Sequence, residues 1–208
     1  MATLTNYMTY VRDRLGVPST DTMFTDAQVT AAINQAIHAL DEEHDWPWMQ
    51  ASATIATNTS TIVLASYVST WKRVVSLSIP TENHQLTVWP VDDLLSEPTT
   101  VTGMPDRYAT WAENIEVRPA PDQSYSFKLG YIKRETDLAS GSDQPALPSQ
   151  FDGAIIAYAA YLLAVREGDT TNAAVHLAAY KDWVVRMRDS VRRYSAPKRV
   201  SVRPGGWI

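Results

Sequence analysis

The residues best suited to chemistry lie in one stretch rich in carboxylates and histidine, residues 38–46, which reads HALDEEHDW. On a helix His38, Asp41 and Glu42 share a face, because residues three and four apart are neighbours, and Asp41 and His44 form a second pair. Carboxylates and imidazoles on helix faces are the ligands of di-metal sites in helical bundles. This pattern supports one functional alternative, a small metal-dependent hydrolase that would use His38, Asp41 and Glu42.

A di-metal site also needs matching ligands on other helices, and the sequence does not supply them. The predicted third helix offers Glu167 at its end, and the predicted fourth helix offers His176 and Asp182. We therefore predict a solvated acidic turn and no metal site. Acidic residues at a helix C-terminus oppose the helix dipole, so this turn calls for a basic neighbour, from this chain or another subunit.

Other catalytic signatures are absent from the sequence. Without cysteines there is no disulfide, thiol nucleophile or cysteine-ligated metal. The patterns GxGxxG, GxxxxGKS/T and GxSxG do not occur, which removes the usual signs of nucleotide binding and of a serine hydrolase. Asp92 and Asp93 follow Pro90, where acidic residues favour a helix N-terminus over acid–base catalysis. We predict that the chain is not an enzyme, with no catalytic residue and no cofactor.

Charge is distributed unevenly along the chain. The net charge is −5, yet residues 181–208 carry eight basic and two acidic side chains, and the rest of the chain carries ten basic and twenty-one acidic ones. An acidic body with a basic end suits self-assembly or docking on an acidic partner, and it argues against the body gripping DNA. A further alternative is a DNA-binding accessory protein that would contact phosphates through the basic end.

The last residues, 196–208, cannot form a core of their own. They combine three basic residues, two glycines and a terminal Trp207-Ile208, which fits docking into a protein groove better than DNA binding. The seven tryptophans are dispersed among apolar or acidic neighbours, which favours packing in the core and at subunit interfaces. No run approaches the about 20 apolar residues of a membrane span, and the start lacks a signal-peptide pattern, so we expect a soluble protein without a membrane partner.

Hydrophobic periodicity divides the chain into helical ends and a β-rich middle. Capping signals predict four helices, at residues 5–15, 25 to about 45, 149–168 and 169 to about 194. Six or seven short strands are predicted between residues 52 and 134, with hairpins at 53–64 and 108–118. The predicted fold class is α+β: a four-helix bundle core of two N-terminal and two C-terminal helices, with an inserted small antiparallel β domain and an extended C-terminal tail.

The predicted domain boundaries follow from this division. They are 1–50 for the N-terminal helices of the bundle, 51–136 for the inserted β domain, 149–195 for the C-terminal helices and 196–208 for the tail.

Several motifs, in their order along the chain, resemble a known family. Residues 24–36 read FTDAQVTAAINQA, Trp46-Pro47-Trp48 follows, residues 115–122 read IEVRPAPD, residues 147–151 read LPSQF, and Glu167-Gly168-Asp169 precedes the last helix. Together they are similar to the head-to-tail adaptor proteins of tailed bacteriophages, also called connector or head completion proteins, over nearly the whole chain.

The resemblance implies a virion structural protein in the neck, between capsid and tail, assembled in the host cytoplasm. It would form a ring beneath the portal protein, continue the DNA channel without sequence-specific contact to the genomic DNA, and offer a platform to tail or nozzle proteins. We expect a homo-oligomer, a dodecamer in the virion, and a monomer when the chain is free. The alternative within this class is a head-closure or tail-completion protein further down the neck.

The same resemblance directs attention to the tail, because in related adaptors the C-terminal segment engages the portal. We assign portal binding, as a hypothesis, to Lys198, Arg199, Arg203, Trp207 and Ile208.

Overall fold

The computed structural model describes residues 2–18 and 23–195, which form two compact units. The helical unit holds the described residues of Met1–Ala36 and Ala139–Ile208, and the β unit is Ile37–Leu138. No helix within the described residues is long and apolar enough to cross a membrane.

Five α-helices lie within the described residues. They are α1 Leu4–Leu15, α2 Asp26–Glu43, α3 Val91–Ser96, α4 Asp152–Glu167 and α5 Thr170–Ser195. The predicted four-helix bundle core is therefore wrong, although the α+β class is compatible with the structure. The reason lies in α2, which belongs to the helical unit as far as Ala36, whereas its last turns, with the buried Ile37 and Leu40, belong to the β unit. Periodicity gives the buried face of a helix but not the partner against which it is buried.

The helical unit is organised around α4, which packs against α5 and α1. Its buried side chains are mostly small: Ala154, Ile155, Ala157, Ala159, Ala160, Leu163 and Ala164. Small side chains allow neighbouring helices to approach closely. The hydroxyl of Tyr7 donates a hydrogen bond of 2.6 Å to Asp152 Oδ1, which joins α1 to the first residue of α4.

The predicted capping signals of α1, α2 and α5 are confirmed. Gly16 ends α1 in the left-handed conformation, with φ of 69°. Before α2 the Gln28 amide donates to Thr25 Oγ1 at 3.3 Å, and the Thr25 amide donates to Gln28 Oε1 at 3.0 Å. Before α5 the Asn172 amide donates to Asp169 Oδ1 at 3.0 Å. By contrast, α4 begins three residues later than predicted, because a 3₁₀ turn over Ser149–Phe151 precedes it.

Ten strands form the sheets of the β unit. They are β1 Gln50–Thr57, β2 Thr61–Val63, β3 Arg73–Ile79, β4 His84–Gln85, β5 Thr87–Val88, β6 Thr102–Gly103, β7 Arg107–Trp111, β8 Asn114–Arg118, β9 Ala120–Pro121 and β10 Tyr125–Ile132. One sheet has the order β1-β10-β3-β4, a second has the order β2-β8-β7-β5, and β6 pairs with β9. Most pairs are antiparallel, as predicted, but β5 runs parallel to β7 and β6 runs parallel to β9.

One of the two predicted hairpins is wrong. β1 pairs with β10 and β2 pairs with β8, so residues 58–60 connect two sheets and do not close a hairpin. The hairpin of β7 and β8 is confirmed. The two four-stranded sheets share one hydrophobic core, which includes Ile55 and Phe127 from the first sheet and Ile115 from the second.

The turn between β7 and β8 is strained. Ala112 and Glu113 have φ of 47° and 66°, the left-handed values of a two-residue hairpin turn that glycine and asparagine adopt more readily. We expect the double substitution Ala112→Asn and Glu113→Gly to raise the free energy of unfolding by about 1 kcal/mol. Urea unfolding would measure this, with Glu113→Gln as the control that removes the charge and leaves the strain. An unchanged or lower stability would show that the turn is not strained.

Candidate interaction surfaces

The predicted chemical cluster at the end of α2 lies in the β unit, and one of its three residues forms an ion pair there. His38 Nε2 lies 2.6 Å from Asp137 Oδ1, and both side chains are exposed. Asp41 is buried, whereas Glu42 is exposed. The three side chains that share a helix face in the sequence thus have different surroundings. Within residues 2–18 and 23–195 no group of three histidine or carboxylate side chains could hold a metal ion. The geometry gives no support to the hydrolase alternative.

The C-terminal end of α2 is capped by side chains from beyond the helix. The last four carbonyl groups of a helix have no partner within it. Trp46 Nε1 donates a hydrogen bond of 2.8 Å to the carbonyl of Leu40, and Lys72 Nζ donates one of 2.6 Å to the carbonyl of Asp41. Lys72 therefore also places a positive charge where the helix dipole favours one. The basic neighbour that the acidic turn requires comes from this chain.

Asp45, which follows α2, forms ion pairs with two basic side chains, Lys72 and Arg73. Arg73 Nη2 lies 2.6 Å and Arg73 Nε 3.0 Å from Asp45 Oδ2, and Lys72 Nζ lies 3.3 Å from Asp45 Oδ1. Burial opposes ionisation of Asp45, but the hydrogen bonds from Arg73 and Lys72 outweigh it, so the pKa of Asp45 lies below its ordinary value. For Asp41 the balance is reversed, because burial outweighs the attraction of Lys72 and raises its pKa.

A second charged pair is buried in the second sheet of the β unit. Glu116 Oε1 accepts a hydrogen bond of 2.7 Å from Thr61 Oγ1, and Glu116 Oε2 lies 3.3 Å from Arg118 Nη1. Arg118 Nη1 also donates to the carbonyl of Val117 at 2.9 Å. We did not predict this pair from the sequence. The available signal was the spacing, since residues two apart in a strand lie on the same face of a sheet.

The described tryptophans differ in their exposure: some pack against other side chains and one is largely exposed to solvent. Trp46 is buried, stacks on Trp48 at 5.0 Å between ring centroids, and contacts His44 edge to face. Trp89 lies beneath the guanidinium of Arg107, 4.5 Å from the ring centroid. Trp111 is 54% exposed. Core packing therefore accounts for some of these residues, and Trp111 is available to a partner.

Further apolar side chains of the β unit are exposed. They include Val63, Tyr67, Val75, Val88, Leu95, Val101 and Met104. Asp92 and Asp93 lie in the first turn of α3, where their charge suits the helix dipole, and both are exposed. The predicted portal-binding residues Lys198, Arg199, Arg203, Trp207 and Ile208 lie outside the described residues, so their assignment stays a hypothesis.

His176 lines a cleft in the helical unit. The cleft has a volume of about 490 Å³ and lies between α1, α4 and α5, with Asp13, Glu167 and Asp169 among its lining residues. Arg14 Nε donates a hydrogen bond of 3.2 Å to His176 Nδ1. Because arginine has no acceptor, this bond requires a neutral imidazole. Burial and the nearby charge of Arg14 lower the pKa of His176, against a weaker opposing effect of Asp169.

Stability is expected to fall with pH below about 6.5 because of His176. The unfolded chain binds a proton there that the folded chain does not, and this difference favours unfolding as the pH falls. His176→Asn keeps an acceptor for Arg14 and removes the titration, so its free energy of unfolding should change less between pH 7.5 and pH 5.5. Urea unfolding of both proteins at both pH values tests this. Equal slopes for the two proteins would show that His176 does not carry the effect. Asp41 and the other carboxylates act equally in both proteins and cancel in the comparison.

Comparison with protein-family models gives a match. The family model described as SU10 adaptor protein matches residues 2–201, which is nearly the whole chain. No curated protein matches the chain.

Proposed function

The chain belongs to the SU10 adaptor protein family, and from this premise we propose that it forms a ring beneath the portal of a tailed bacteriophage. As a member of the family it is a structural adaptor protein of a phage, located in the virion neck, with portal and tail proteins as its general partners. The proposal adds the ring, the position against the portal and the passage of DNA through the centre. The family match over residues 2–201 carries the proposal.

The charges along the chain fit a ring around DNA. Residues 37–138 contain fourteen acidic and seven basic side chains, and residues 196–208 contain three basic side chains and no acidic one. An acidic surface facing a channel would repel the duplex and let it move without binding. The basic tail is then available to a protein partner.

The exposed side chains of the β unit fit contacts with other subunits. Trp111 and the apolar residues around the strands are of the types that interfaces bury. Subunits of a ring use two different surfaces, one for each neighbour, and the contacts close by rotation. Contacts with the portal on one side and with tail or nozzle proteins on the other complete the proposed arrangement.

Loss of the chain from infecting phage provides the test. Phage assembly without the chain should yield DNA-filled capsids that carry no tail, and supplying the chain in trans should restore tail attachment. Tailed, infectious particles that lack the chain would overturn the proposed role.

A further inference from the structure

The first strand of the β unit is an edge strand. In the order β1-β10-β3-β4 the strand β1 is terminal, and no strand within the described residues pairs with its other side. Its eight residues, QASATIAT, include no charged residue and no proline. Proteins usually place such residues on edge strands to prevent pairing with another chain. β1 therefore lacks these two forms of protection against an added strand.

The basic tail contains a segment with the sequence pattern of a strand. Residues 198–203 read KRVSVR, with Val200 and Val202 alternating with Arg199, Ser201 and Arg203. Pro197 and Pro204 flank the segment, and proline cannot donate a backbone hydrogen bond, which limits a strand to the six residues between them. These residues lie outside the part of the chain that the structure describes.

Length and charge match the two segments to each other. A strand of six residues spans about 20 Å and fits along the eight residues of β1. The segment contributes three basic side chains, and the unit that contains β1 has an excess of seven acidic side chains. An uncharged edge within an acidic unit would thus accept a basic strand without like-charge repulsion.

We propose that residues 198–203 of one copy add a β-strand to β1 of a second copy. This inference rests on the self-association in the proposed function and identifies one contact that produces it. Backbone hydrogen bonds along β1 provide affinity, and the alternating side chains fix the register. This pairing uses backbone groups of the segment, so the side chains assigned to the portal are not consumed by it.

Disulfide trapping between two different variants tests the proposal, since the chain has no native cysteine. One variant carries Thr54→Cys in the middle of β1. In a second set of variants, each protein carries a single cysteine at one of the positions 198 to 203. Strands about 4.8 Å apart bring facing residues within disulfide range. In oxidised mixtures of full chains assembled on portal rings we expect bonds between the two variants, with a yield that alternates with a period of two along the tail.

The controls separate backbone pairing from charge. Val200→Pro with Val202→Pro removes two backbone donors and keeps every charge, and it should lower the trapped yield by about tenfold. Val200→Thr with Val202→Thr keeps the donors and should trap normally. A further variant carries both cysteines in one chain. If a disulfide forms within this chain and none forms between the two single-cysteine variants, the assignment to a second copy is overturned. No trapping at any position, in a protein that still binds portal rings, would overturn this inference and leave the proposed function standing.

Discussion

A chain that ends at residue 196 is expected to lose its binding to portal rings while it remains folded. The deletion removes Lys198, Arg199, Arg203, Trp207 and Ile208, and tryptophan and arginine are the residue types that most often dominate binding energies. Loss of these three anchors, Arg199, Arg203 and Trp207, would weaken binding by about 100-fold or more. Co-sedimentation of the shortened and full-length chains with portal rings would measure the change.

Two smaller variants distinguish the contributions of the tail. Replacing Lys198, Arg199 and Arg203 by glutamine removes the charge and should weaken binding most at low salt, where ion pairs are strongest. Trp207→Ala should weaken binding at every salt concentration. Circular dichroism should show an unchanged fold for all three variants, since the deleted or substituted residues follow α5, the last described helix. Undiminished co-sedimentation of the shortened chain would refute the role of the tail.

The largest effect on stability is expected from Trp46→Ala. Trp46 is 1% exposed, and its indole donates to the carbonyl of Leu40 near the end of α2. The substitution leaves a cavity and an unpaired carbonyl, and it should lower the free energy of unfolding by about 3–5 kcal/mol. Chemical denaturation of the two proteins would measure the difference.

Two control substitutions separate packing from the hydrogen bond of Trp46. Trp46→Phe retains most of the apolar volume and loses the donor, so we expect a loss of about 1–3 kcal/mol. Trp111→Ala removes the same side chain from an exposed position and should change stability by about 0.5 kcal/mol or less. A small effect of Trp46→Ala would mean that α2 does not depend on this cap.

Local sequence signals were sufficient to predict those helix ends that are fixed by residues close by in the chain. The reciprocal cap of Thr25 and Gln28 and the left-handed Gly16 follow from chemistry within four residues. The hairpin of β7 and β8 is local in the same sense. The pairing of β1 with β10 joins residues more than sixty positions apart, and no local pattern distinguishes it from the hairpin that we predicted.

The incorrect bundle has the same physical origin. The helix α2 is correctly predicted, but its last turns belong to the β unit and not to the helical unit. Likewise the acidic turn at Asp41 and Asp45 indicated the need for a basic partner. Only the structure shows that Lys72 and Arg73 are that partner. The domain boundaries and the portal-binding residues stay predictions.

The mass of the complex with portal rings tests the central claim most directly. We predict that the purified full-length chain has the mass of one subunit and that, with portal rings, it forms a single species containing a closed ring of copies. The copy number should equal that of the portal subunits or match their symmetry. A complex with one copy per portal ring, or no complex at all, would contradict the account.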